Sequence, residues 1–207
     1  ISDVLHEFPG EVTIVALGPL SNIARAIQKD RELTSLVDQI IMIGGSVDCV
    51  GNITAAAEFN MYCDPEAARI VFASPTTKTL IPLDVTQRVT MSLDFMNQLP
   101  SATTRAGALM RKIVPQLFRS YRSELGQEGI HIHDALGVLY VVHPELFETR
   151  EMAGDVETTG SITRGATVFD RRVRPAWRNN MEVAVSVDEA GVTDCIVRGL
   201  RFAGQNT

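Results

Sequence analysis

The sequence predicts an α/β fold with a doubly wound, mostly parallel sheet that binds ligands at the carboxyl ends of its strands. Three observations predict it. Short apolar runs alternate with helix-period segments through the first half of the chain. Two of the early runs end in Gly18-Pro19 and Gly44-Gly45, and a polar loop of about a dozen residues follows the second. Internal repeats, low-complexity tracts and a convincing linker are missing from the sequence, so residues 1–207 read as a single domain.

Val12 to Leu17 reads as a buried strand, and Pro19 opens a helix to about Ile27 with Leu20, Ile23, Ala24 and Ile27 on one face. Ile40 to Ile43 reads as the second strand. Asp64-Pro65-Glu66 joins an N-cap, a first-turn proline and a first-turn acid, a strong helix start. Thr79 to Leu83 is a third strand, and Ser101 to about Ser123 an amphipathic helix. Asp134 is expected to cap an apolar helix, Ala135 to Val142, that stops at His143-Pro144. After about Phe147 the pattern changes to strand-like pieces, including Ala166–Phe169 and Met181–Val185, and Asp188 is expected to cap a last helix carrying Val192, Ile196, Val197 and Leu200.

Composition narrows the function classes. A net charge of −6 argues against nucleic acid or an anionic membrane as the main partner, since both need a basic surface. The apolar runs are strand-length and too short to span a bilayer. Cys49, Cys63 and Cys195 are odd in number and form no CxxC pair, which suits a reducing, cytoplasmic setting. No signal peptide is expected from the first residues. The chain starts with Ile rather than Met, which leaves room for an upstream segment.

Three polar clusters could carry chemistry. Between Gly51 and Asn60, the amides Asn52 and Asn60 and the carboxylate Glu58 stand where a strand ends and a helix begins. Such groups suit a sugar, whose hydroxyls donate and accept, and Phe59 could pack on an apolar face of it. The alternative is a solvated loop whose Asn and Asp residues make turns and caps. The second cluster is His131-Ile132-His133-Asp134. Asp134 would suit a hard cation such as Ca²⁺, and His133 could handle a proton near neutral pH. In an extended stretch His131 and His133 share one side. The alternative is a helix N-cap with incidental histidines. The third is Leu83-Asp84-Val85-Thr86-Gln87, where capping of the next element by Asp84 or Thr86 is the better reading.

Taken in order, these segments resemble the inosine-uridine-preferring nucleoside hydrolases. Ala16 to Ala24 is similar to the family's strand-GPLTNIA-helix unit, and Met42-Ile43-Gly44-Gly45 to its MGG strand end. Gly51-Asn52, Ala57 to Asn60 and Asp64 to Ala68 resemble its GN-AEFN-DPEAA block. His133-Asp134 looks like its HD pair, and Val156-Glu157-Thr158 to Arg164-Gly165 like its VET-G-TRG segment.

The resemblance implies cleavage of the bond between ribose and base with Ca²⁺ as cofactor, by a homo-oligomer (a dimer or tetramer). It implies that Asn52, Glu58 and Asn60 hold ribose, that His133 protonates the leaving base, and that Asp134 and the main-chain carbonyl of Leu17 bind Ca²⁺. The family also carries a DxDxxxDD motif that supplies further ligands and the base for water. Before Val12 this sequence has only Asp3, Glu7 and Glu11 as acids. The fold is therefore expected to be nucleoside hydrolase-like but to lack its first strands. Residues 1–207 would be the C-terminal portion of the enzyme, inactive alone, or else a non-catalytic ribose- or nucleoside-binding fragment that needs an N-terminal piece.

Overall fold

A computed structural model describes residues 1–203. In chain order its helices are α1 (Ser2–Glu7), α2 (Ser21–Lys29), α3 (Leu33–Leu36), α4 (Phe59–Cys63), α5 (Pro65–Ala73), α6 (Leu83–Thr86), α7 (Arg105–Leu125), α8 (His133–Val142) and α9 (Glu189–Ala203). The strands are β1 (Val12–Ala16), β2 (Val37–Ile43), β3 (Lys78–Ile81), β4 (Thr90–Met91), β5 (Ile130–His131), β6 (Phe147–Met152), β7 (Gly154–Val156), β8 (Thr167–Phe169) and β9 (Met181–Val187). Short 3₁₀ turns occupy Leu93–Gln98 and Pro144–Leu146. No helix among the described residues is long and apolar enough to cross a membrane.

The chain forms two compact units. The first joins Ile1–Val85 to Phe147–Ser186, and the second joins Thr86–Leu146 to the chain from Val187 on. A five-stranded sheet of order β1-β2-β3-β9-β6 organises the first unit. The pairings β1–β2, β2–β3 and β3–β9 are parallel, with Ile14 opposite Ile40, Met42 opposite Leu80 and Thr79 opposite Glu182. The mostly parallel α/β sheet expected from the sequence is thus present.

The apolar run of β2 explains its central place. Ile40, Ile41, Met42 and Ile43 are all buried, as befits a parallel strand covered on both faces. Ile40, Met42, Leu80 and Val183 join one core with Ile23 and Ala24 of α2 and Ala68, Val71 and Phe72 of α5. Asp64 starts α5 as expected, accepting from Ala67 N at 3.0 Å.

In the second unit α7 runs through Pro115, buries Val114 and Phe118, and is capped by Thr104, which accepts from Gly107 N at 3.0 Å. α8 packs on α9, where Leu136 and Val192 are fully buried. Asp188 does cap α9, accepting from Gly191 N at 3.0 Å.

Two capping expectations are corrected. Asp134 does not cap α8; the helix begins two residues earlier than expected, at His133 after Ile132, and Asp134 sits in its first turn. Asp84 does not cap the element after it. Its carboxylate instead reaches back across 35–37 residues to the loop after β2.

Candidate active site

The first unit gathers Leu17, Asn52, Glu58 and Asn60 beyond the carboxyl ends of β1 and β2. Their order follows from the turn at Gly44-Gly45. Gly45 has φ +68°, a left-handed conformation that favours glycine, and a Cβ there would lie 2.8 Å from the Thr167 side chain. At Gly44 (φ +145°) a Cβ would lie 2.8 Å from Glu58 Oε2. The two glycines let the chain turn sharply against both neighbours.

Glu58 is 5% exposed and serves this turn and α4 together. Its Oε2 accepts from Gly45 N at 2.9 Å and from Met61 N at 3.1 Å, the second bond capping α4. Bonds between a buried carboxylate and backbone N–H groups are charge-assisted and stronger than neutral ones.

The two amides are oriented by the backbone. Asn60, buried at 8% exposure, donates from Nδ2 to Ile43 O at 3.0 Å and to Leu17 O at 3.4 Å. One side chain therefore ties the ends of β1 and β2, and its amide oxygen remains as an acceptor. Asn52 is exposed, and its Oδ1 accepts from Phe59 N at 2.8 Å, which leaves its Nδ2 as a donor. Each amide is held by partners of fixed polarity, so neither can be flipped without losing a bond. Phe59 stands half-exposed between Glu58 and Asn60.

The second unit holds His131, His133 and Asp134. The two imidazoles do share a side, with ring centroids 5.5 Å apart, and Tyr121 lies 6.0 Å from His131. His133 Nδ1 is 2.8 Å from Thr86 Oγ1. Burial, and secondarily the charge of His131, push the His133 pKa down to about 4. At pH 7 the ring is therefore neutral. Asp134 reaches solvent and has no ion pair among the described residues, and desolvation raises its carboxyl pKa.

These groups bear on a metal. An unpaired carboxylate and a main-chain carbonyl are oxygen donors of the kind Ca²⁺ takes, but Ca²⁺ takes about six to eight of them. Among the described residues no group of three or more His, Cys, Asp or Glu could hold a metal ion. Among the described residues these donors do not by themselves make up that number.

Some contacts had no sequence signal. Thr86 was visible only as a cap candidate, yet it is the hydroxyl beside His133. Thr167 Oγ1 accepts from Ser46 N at 2.9 Å and donates to Ser46 O at 2.6 Å, a staple 121 residues apart in sequence.

A family model described as inosine-uridine preferring nucleoside hydrolase matches residues 1–194. The non-specific ribonucleoside hydrolase RihC of Salmonella paratyphi B is 37% identical over 203 residues, 98% of this chain and 64% of that protein. Among solved structures, a purine-preferring ribonucleoside hydrolase from Gardnerella vaginalis matches with a TM-score of 0.91 at 28% identity, over 99% of this chain and 65% of that one. A plant nucleoside hydrolase matches with a TM-score of 0.87 at 30% identity, again over 99% and 65% of the two chains. The chain spans less than two thirds of the length of each of these relatives.

Proposed function

We propose that the complete protein hydrolyses the N-glycosidic bond of ribonucleosides, and the premise is its family: this chain belongs to the inosine-uridine-preferring nucleoside hydrolases. The observation that carries the reading is the pair of oriented amides. Asn52 is held as a donor and Asn60 as an acceptor, on either side of the Glu58 carboxylate. Ribose hydroxyls donate and accept in turn, so this set matches their chemistry.

In the reaction a water oxygen bonds to C1′ as the bond from C1′ to the base nitrogen breaks. The electron pair leaves with the base, which takes up a proton, and the sugar passes through an oxocarbenium-like transition state. Asn52, Glu58 and Asn60 would fix the sugar. Such positioning can lower a barrier by at most about 7–11 kcal/mol. His133 would assist departure of the base. Burial keeps its ring neutral in the free protein, so His133 would have to take up a proton before handing one to the base, while the Thr86 hydroxyl 2.8 Å from Nδ1 would orient the ring.

Ca²⁺ is proposed as the cofactor of the complete protein, where it would bind ribose hydroxyls and acidify a water. The donors that the family resemblance assigns in this chain are the Asp134 carboxylate and the Leu17 carbonyl. Asp134→Ala in the complete protein is expected to lower Ca²⁺ affinity at least tenfold by calorimetry. Unchanged affinity would remove Asp134 from the ligand set. The net charge of −6 and three cysteines outside any disulfide support a cytoplasmic protein acting on free nucleosides, with no nucleic acid or membrane partner, and the family supports a homo-oligomer.

The deciding assay follows release of free base from inosine and uridine at saturating calcium, for the complete protein and for residues 1–207 alone. The complete protein is expected to turn over and the isolated segment to be inactive, since the acids before Val12 form no DxDxxxDD motif. Nucleoside binding without base release by the complete protein would replace this reading with a non-catalytic binder.

A further inference from the structure

We propose that Asp84 is a positioning residue, whose carboxylate sets the loop that carries Asn52, with the Asp48–Arg171 ion pair as a second anchor. The proposal rests on the ribose role of Asn52 given above. Asp84 Oδ2 accepts from Val47 N at 2.7 Å, and Oδ1 accepts from Asp48 N at 2.7 Å and Cys49 N at 3.0 Å. Three successive N–H groups converging on one anion make a backbone nest. Burial raises the Asp84 pKa, but the backbone N–H bonds outweigh it and hold the pKa below the usual carboxylate value. The ionised carboxylate, an acceptor at both oxygens, satisfies all three donors.

The same loop is gripped from outside. Arg171 holds Asp48 with both terminal nitrogens, at 2.7 and 2.8 Å, a bidentate pair that fixes direction as well as distance. Only Val50 and Gly51 separate Cys49 from Asn52, and the turn closes with Asn52 N donating to Ala57 O at 3.2 Å. A shift of residues 47–49 therefore has two residues in which to dissipate before it reaches the amide. All of these groups belong to the first unit.

The test is a double-mutant cycle on kcat/KM for a ribonucleoside, in the complete protein. Asp84→Asn places an amide N–H₂ against one of the three backbone donors. It is expected to lower kcat/KM by about 10–100-fold, the scale of an ångström-level misplacement. In an Asn52→Ala background the same change should cost little more, because residues acting through one contact are non-additive. Arg171→Ala, at a half-exposed side chain, should give a smaller loss with the same dependence on Asn52. If Asn52→Ala is harmful but the Asp84→Asn and Arg171→Ala losses simply add to it, positioning is overturned and the ribose role stands. An inert Asn52→Ala overturns the ribose role of Asn52, and the positioning proposal with it.

Discussion

Replacing His133 by Ala in the complete protein is expected to slow hydrolysis of inosine and uridine by about 10²–10⁴-fold, the usual range for a lost proton donor. Natural bases are poor leaving groups and depart as anions unless protonated. A riboside with an activated leaving group, such as nitrophenol, needs no such proton and should lose far less. The contacts of His133 sharpen the expectation. Burial and the neighbouring His131 keep the ring neutral at pH 7 in the free protein, so it must gain a proton before it can protonate a departing base. Thr86→Val deletes the hydroxyl 2.8 Å from Nδ1 and frees the tautomer. It should reproduce part of the loss, again mainly with poor leaving groups. Equal slowing of activated and natural substrates by His133→Ala would point to damaged structure rather than a lost donor.

Glu58 should answer differently to two substitutions. Glu58→Ala strands the buried N–H groups of Gly45 and Met61, each at a cost of about 1–3 kcal/mol, so roughly 2–6 kcal/mol of stability should be lost in chemical denaturation. Glu58→Gln keeps an oxygen that can accept from both donors, so the fold should survive. What it loses is the charge that the proposed ribose role uses. Affinity for a ribosyl transition-state analogue should then fall more than affinity for the free base. A Gln variant that loses both affinities equally would contradict the ribose role, and an Ala variant as stable as the parent would contradict the structural one.

Local chemistry made much of this protein legible from sequence. The β2 run Ile40–Ile43 is readable because a parallel strand buried on both faces must be apolar throughout. Asp64-Pro65 announces α5 because its cap bond spans three residues. Asn52, Glu58 and Asn60 stood out because a polar cluster followed a strand end, and the family motifs joined them to His133 and Asp134. β6 was missed because Phe147-Glu148-Thr149-Arg150-Glu151-Met152 carries charges at three of its six positions. β4 and β5 have two residues each, and only their pairing with one another, Thr90 with His131 and Met91 with Ile130, defines them.

The tertiary structure alone decided how the polar side chains are used. Asp84 and Asp134 each looked like a helix cap, but Asp84 holds the loop at residues 47–49 and Asp134 lies within the first turn of α8. The split into two units was equally hidden, because the first unit leaves the chain at Val85 and resumes at Phe147. The physical reason is the same in each case. A cap, a proline start or an apolar run is settled within a few residues, whereas a carboxylate can accept from any donor that folding brings to it. Which donor that is depends on the path of the whole chain.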